Sequence, residues 1–478
     1  MDSLTAARAS FAVSLAFHII FAALGVGLPV LLCAAEGLGL WKRDATWYAL
    51  ARRWSKATGI LFVVGAVSGT TISFELGLLW PRFMNIASGV IGLAFALEGF
   101  TFFLEAIFLG IYLYGWDRIS PLAHWLCTLP LVFSGAAGTW MVVSANAWMN
   151  APAGFKLVNG RATDINPIAA IFNPATPIEP LHMLVAAYQV TGFGVAAVYA
   201  FALLQGRRGA YYRRGLTLSL LLGTVMAPIQ AVVGDSAAQN VAQIQPVKLA
   251  AMEALFNTTT GAPLTIMGIP DMATQQVYLA VRIPKLLSFL AYRDVNSTVQ
   301  GLNAFPRSDW PSYVLMVHWA FDLMVGIGGL MILTALISWF VYFRYVRRNQ
   351  PVPLRIWLLR GLAIMGPLSF VALEAGWIVT EGGRQPWVIY NIMRVEDGVT
   401  TTPGLGITLF LFIGIYLLLA VTLIALLLRL GRDKNPFLPP FQQNAPKYVA
   451  QQDSRDTTSD ADSSVDSSVD SGANTTAQ

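Results

Sequence analysis

Gly361-Leu-Ala-Ile-Met-Gly-Pro-Leu-Ser-Phe-Val-Ala-Leu-Glu374-Ala-Gly-Trp377-Ile-Val-Thr-Glu381-Gly-Gly-Arg384-Gln-Pro-Trp387 is a greasy run that ends on a carboxylate and a guanidinium three residues apart. Its length is enough to cross a hydrocarbon core of about 30 Å as a helix. Gly382-Gly383 is expected to break that helix, and Pro386 to stop it from resuming. Ionisable groups beside lipid cost stability, so Glu374, Glu381 and Arg384 ask for a functional reason.

Similar apolar stretches recur near 11–40, 57–79, 86–114, 122–147, 180–204, 215–234, 312–343, 356–380 and 405–430. Only 12% of the 478 residues are charged and 55% are hydrophobic, whereas a soluble domain carries about 25% charge. The expected fold is therefore all-α, a polytopic membrane bundle of nine transmembrane helices. With one basic residue, Arg8, ahead of the first apolar run and no convincing cleavage site, that run is expected to be a retained helix.

The net charge of +5 is explained by topology, and no nucleic-acid motif accompanies it. Most of the Lys and Arg fall in alternate loops: Lys42 to Lys56, Arg118, Arg207 to Arg214, Arg344 to Arg360, and the stretch after Arg429. The positive-inside rule then puts the N-terminus outside and the C-terminus in the cytoplasm. Residues 1–435 are expected to form the bundle, with 235–311 an outer segment folded onto it. Residues 436–478, rich in Asp, Ser and Thr, are expected to be a disordered cytoplasmic tail whose removal spares the chemistry. Cys33 and Cys127, both in apolar segments, argue against a disulfide framework or thiolate metal site.

Five carboxylates in or at the ends of spans stand out: Glu75, Glu98, Glu105, Glu374 and Glu381. They are expected in one outer half of the bundle. Glu98 and Glu105 are seven apart and share a helix face, a spacing suited to proton relay. His18, about 10 Å below the outer surface, is either a functional group or a neutral histidine bonded to a neighbouring helix, and His182 at the outer start of its span is either functional or an interfacial anchor. Met324 is either a ligand or packing. His318 is open to both purposes, and His124 at a cytoplasmic helix start is expected to be interfacial. Lys248 and Glu253 form either a surface ion pair or a polar site for the head group of a lipophilic ligand.

Together these residues resemble subunit I of the cytochrome bd-type quinol oxidases. The segments that carry the resemblance are Glu98-Gly-Phe-Thr-Phe-Phe-Leu-Glu105, Gly115-Trp-Asp-Arg118, Asn146-Ala-Trp-Met149, Gln245-Pro-Val-Lys-Leu-Ala-Ala-Met-Glu253, Met324-Val-Gly-Ile-Gly328 and Gly383-Arg-Gln-Pro-Trp387. The resemblance implies a quinol:dioxygen oxidoreductase with His182 and Met324 as axial ligands of a low-spin heme b. His18 and Glu381 would serve two high-spin hemes, heme b with either heme d or a further heme b. It also implies quinol binding by Lys248 and Glu253 in the outer segment called the Q-loop, here of the short kind found among cyanide-insensitive oxidases. Glu98 and Glu105 match the family's proton-path acids, and Trp377 and Arg384 its heme neighbours. The partners implied are subunit II, a small single-helix subunit, quinol, dioxygen and lipid, in the bacterial inner membrane. Asp322, two residues before Met324, departs from the Arg of some relatives. A proton-coupled transporter predicts internal repeats, which are not evident here; a heme b electron carrier predicts His/His pairs and leaves Glu381 idle.

Overall fold

A computed structural model describes residues 2–348, 355–402 and 404–432; the expected tail lies outside the described residues. Helix α1 (Ser3–Lys42) starts where the Asp2 side chain accepts from Thr5 N and ends at Arg43 in the left-handed region. Helix α2 (Ala45–Leu79) is capped by Asp44, which accepts from Thr46 N. Pro81 opens α3 (Pro81–Gly115), at a position where its missing N–H costs no bond. Then follow α4 (Pro121–Leu126), α5 (Thr128–Asn150), the hairpin of β1 (Lys156–Val158) and β2 (Arg161–Thr163), and α6 (Pro167–Ile171). Helices α7 (Ile178–Leu204) and α8 (Ala210–Ile244) form the next antiparallel pair.

Short α9 (Pro246–Met252) leads into a nested set of strands: β3 (Thr259–Thr260), β4 (Leu264–Ile266), β5 (Ile269–Asp271), β6 (Gln276–Tyr278), β7 (Val281–Ile283) and, after α10 (Leu286–Tyr292), β8 (Thr298–Val299). β5 pairs with β6, β4 with β7 and β3 with β8, all antiparallel. The chain closes with α11 (Val314–Val346), α12 (Ile356–Arg384), the β9 (Trp387–Ile389) and β10 (Met393–Arg394) ladder, α13 (Val395–Gly398) and α14 (Leu405–Arg432).

Among the described residues, nine helical spans are long and apolar enough to cross a membrane, with α4 and α5 counted as one. This agrees with the sequence expectation, but the helices run beyond the apolar stretches into polar caps. Two differences matter. Helix α8 continues to Ile244, so the outer segment begins as the end of a helix. Helix α12 continues through Gly382-Gly383 to Arg384; glycine costs a helix only about 1 kcal/mol, and the chain turns at Gln385-Pro386 instead.

Helices α7, α8, α11 and α12 pack in a ring, each on two neighbours, while α1 packs on α2, α5, α7 and α14, and α3 on α2 and α5. The outer segment buries Val247, Ala250, Ala251, Met252 and Phe256 against α11 and α12. It is latched there by His318, whose Nδ1 and Nε2 lie 2.7 and 3.1 Å from the Met252 and Met267 carbonyl oxygens. Met267 N donates to Asp322 Oδ2 at 2.5 Å. His318 thus fastens a loop, which resolves its two possible uses.

Candidate functional site

Asn146 and Asn150 lie one turn apart at the end of α5 and gather groups from three other elements. Asn150 Nδ2 donates to both carboxylate oxygens of Glu179 at 3.1 Å. Its Oδ1 accepts from Lys248 Nζ at 3.2 Å and Arg384 Nη1 at 3.3 Å. Arg384 Nη2 donates to Glu381 Oε2 at 2.6 Å, and Asn146 Nδ2 to Glu381 Oε1. Asn150, Lys248 and Arg384 are 0%, 1% and 3% exposed. The two glycines that were expected to break α12 make room instead: a Cβ on Gly383 would meet Lys248 Cγ at 2.9 Å.

Of the two readings of Lys248 and Glu253, the surface ion pair is excluded. Both are buried, yet Lys248 bonds Asn150 while Glu253 Oε2 accepts from Thr265 N at 3.2 Å. Helix α9 ends at Met252, so the two side chains leave in different directions into different surroundings. Burial lowers the Lys248 amine to about 8, with Glu179 opposing the drop and Arg384 adding to it. Burial raises the Glu253 carboxyl to about 8, with the Thr265 N–H opposing and Asp322 adding.

Three of the candidate side chains face a glycine on a neighbouring helix. A Cβ on Gly69 would meet His18 Cε1 at 3.0 Å, one on Gly234 His182 Cε1 at 3.3 Å, and one on Gly376 Met324 Sδ at 3.1 Å. His182 on α7 and Met324 on α11 sit on diagonal members of the four-helix ring. Seven residues further along each, Gln189 Nε2 lies 3.3 Å from Met331 Sδ. Seven residues is two turns, returning to the same face, and both helices run the same way. His182 and Met324 therefore occupy facing stripes at one level. The only hydrogen-bond partner of the His182 ring among the described residues is the Gln230 amide, 3.2 Å from Nε2 and 3.3 Å from Nδ1.

His18 Nδ1 lies 2.9 Å from Ser68 Oγ. The Ser68 hydroxyl donates to Val64 O at 2.9 Å, so it accepts from Nδ1–H and leaves Nε2 with a free lone pair, the tautomer a metal requires. Trp377 packs beside this helix with Ile19, Ala187 and Val190. Glu75 Oε1 accepts from Ser14 at 2.6 Å. Glu374 Oε1 is buried without a protein partner.

Glu98 and Glu105 share one face of α3, and neither carboxylate has a hydrogen-bond partner among the described residues. The expectation that all five acids occupy one half fails for Glu105. It lies ten residues from the Gly115 end of α3 and twenty-four from Pro81, past the middle of the helix. His124 is not interfacial either: it is 2% exposed and paired with Glu36. Glu36, Glu179, Asn150, Gln189 and Gln230 escaped the sequence reading. Glu36 alone carried a signal, an acid inside the apolar run of α1.

Residues 6–435 match the sequence model of cytochrome bd terminal oxidase subunit I. The chain belongs to that family. It is 39% identical over 432 residues to a putative cytochrome bd menaquinol oxidase subunit I of Bacillus subtilis, covering 90% of this chain and 96% of the relative. A cytochrome bd ubiquinol oxidase subunit 1 of the same organism is 30% identical, covering 90% and 93%. The bd oxidase structure from Geobacillus thermodenitrificans superposes with a TM-score of 0.84 at 37% identity, covering 91% of this chain and 99% of that one. This cytochrome bd subunit I is thus a multi-pass membrane protein of a quinol-oxidising terminal respiratory oxidase, and the family implies heme. Its residues fit that group: glycines clear the space at His18, His182 and Met324, an imidazole nitrogen is left free, and Arg384 Nε is buried with no partner among the described residues.

Proposed function

We propose that His182 and Met324 hold a low-spin heme b, and that His18 and Glu381 serve two high-spin hemes, one of them heme d or a further heme b. The observation that carries this reading is the Gln189–Met331 contact, which sets the imidazole and thioether on facing stripes. A His/Met pair closes both axial positions and suits electron transfer, while a single protein ligand leaves a place for dioxygen. When bound, the hemes supply the electron path from quinol to dioxygen. On this reading Arg384 and Trp377 flank that path, and the guanidinium offers charge-assisted bonds to a propionate.

Lys248 and Glu253 bind the quinol head group: the amine donates to one oxygen and the carboxylate takes a proton from the other. Their different partners, Asn150 and Thr265, fit contacts to two different oxygens of the ring. Glu98 and Glu105, unpartnered on one helix face, pass protons toward the site of oxygen reduction. The orientation supported by the basic loops puts the quinol site and the N-terminus outside and proton uptake in the cytoplasm of a bacterial inner membrane. Quinol oxidation then releases protons on one side while oxygen reduction consumes them from the other, so charge separates without a pump. Subunit II and a small single-helix subunit complete the enzyme, whose quinone is ubiquinone or menaquinone.

Met324→Leu tests the reading. The variant should keep its fold and lose the low-spin signal in the reduced-minus-oxidised spectrum; an unchanged spectrum removes Met324 from the ligand set.

A further inference from the structure

At the opposite end of the bundle a second buried polar cluster has no task in the heme or quinol readings. Glu36 on α1, Tyr112 on α3 and His124 on α4 are 1%, 0% and 2% exposed. His124 Nδ1 lies 2.6 Å from Glu36 Oε1, and its Nε2 lies 2.9 Å from the Tyr112 carbonyl oxygen. The Tyr112 hydroxyl donates to Glu36 Oε2 at 2.7 Å. Trp116 and Tyr112 pack their rings 4.2 and 4.4 Å from the imidazole.

Bond counting shows what this cluster holds. A carbonyl only accepts, so Nε2 carries a hydrogen, and the phenol donates to Oε2. One proton remains between Nδ1 and Oε1. It satisfies that bond from either atom, as carboxylate facing imidazolium or as carboxylic acid facing neutral imidazole. Without it a ring lone pair would face a carboxylate oxygen in an apolar interior. Capping the end of α3 explains the Nε2 contact but not the acid and phenol that close the other side.

The position extends the acid stripe. Glu98, Glu105 and Tyr112 follow one another at seven-residue spacing on α3, so they share a face at steps of about 10 Å. On the solvent side, Trp116 borders a cavity of about 220 Å³ whose polar wall includes Arg52, Ser55, Lys56, Asp117 and Arg118, large enough for several waters. The Trp116 indole N–H is buried without a protein partner, a natural anchor for one of them. The other titratable groups near the cluster are Cys33, Cys127 and Tyr48, which face it from α1, the α4–α5 junction and α2. Arg52, paired with Asp117 at 3.2 Å, lies over the Trp116 ring.

We propose that the Glu36–His124–Tyr112 cluster is the proton-uptake station of the relay through Glu105 and Glu98. The proton shared by His124 and Glu36 leaves through water toward Glu105. One from the Trp116 cavity replaces it, so one N–H or O–H bond breaks and one forms, with no change of oxidation state. The inference rests on the relay reading above.

The test compares Glu36→Gln, Tyr112→Phe and Glu105→Gln in the complete purified oxidase. Heme spectra report assembly; turnover against pH and the solvent deuterium isotope effect report proton delivery. Assembled Glu36→Gln should keep wild-type spectra, lose about tenfold in turnover and show a larger isotope effect. Tyr112→Phe should lose about threefold, and it decides the matter alone if Glu36→Gln does not assemble, because it deletes a single hydroxyl. Wild-type turnover and pH profile in these two with a slow Glu105→Gln would overturn the uptake role and leave the relay standing. Wild-type turnover in all three would remove both.

Discussion

Replacing Glu253 by Gln keeps the side-chain volume and removes the titratable proton. Burial holds this carboxyl at about 8 in the folded protein, against a usual value of 4.5. At pH 6.5 only about 3% of it is ionised and at pH 8 about half, so a proton-accepting Glu253 predicts quinol oxidation rising about fifteenfold across that interval. The assay is oxygen consumption at saturating quinol, beside consumption driven by an artificial reductant that bypasses the quinol site. Glu253→Gln should lose the rising limb with quinol and leave the bypass rate unchanged. The same burial has a consequence for stability. Between pH 4.5 and about 8 the folded state keeps a proton that the unfolded chain has released, so stability falls as pH rises through that window. The slope is about 1.4 kcal/mol per pH unit, on the order of 5 kcal/mol across it. Glu253→Gln should therefore gain most in melting temperature at alkaline pH. A rising limb that survives in Glu253→Gln, or quinol and bypass rates that fall together, would refute the proton-acceptor role.

Two further substitutions probe the surroundings. Gly383→Ala places a Cβ 2.9 Å from Lys248 Cγ; overpacking of this kind costs about 1–3 kcal/mol, so the quinol KM should rise several-fold with heme spectra intact, and an unchanged KM would detach Lys248 from quinol binding. Asp322→Asn weakens the charged acceptor of Met267 N, a bond worth about 1.5–3 kcal/mol. Limited proteolysis of residues 253–311 should then accelerate, and an unaltered digestion rate would mean the His318 contacts suffice.

The nine spans were legible because a long apolar run admits few structures in lipid. So was the Glu98–Glu105 stripe, which needs only helical spacing. Helix ends were not, since Asp2, Asp44 and Pro81 extend helices past the apolar stretch that marks them. The break expected at Gly382-Gly383 failed because a neighbouring side chain, not local propensity, sets the use of those glycines. Contacts between distant segments were the hardest to see. His124 finds Glu36 across 88 residues, and nothing local to His124 distinguishes that partner from the membrane interface. Lys248 and Glu253 were identified as quinol-site candidates by resemblance, while their true neighbours, Asn150, Glu179 and Thr265, come from three separate elements.

Lys248 and Glu253 also show how one physical cause prepares two opposite groups. Burial disfavours the charged form of each, so the amine falls and the carboxyl rises, and both arrive at about 8. Neither contact with the other nor a shared partner is needed. An amine and an acid matched in this way can each exchange a proton near neutral pH at small cost, which is what transfer to and from a quinol demands. The same residue pair on a solvated surface would stay near 10.5 and 4.5, leaving the amine charged and the acid too weak a base for the task. On the proposed quinol reading, the folding of the outer segment onto α11 and α12 is what turns a Lys-x-x-x-x-Glu spacing into proton-transfer chemistry.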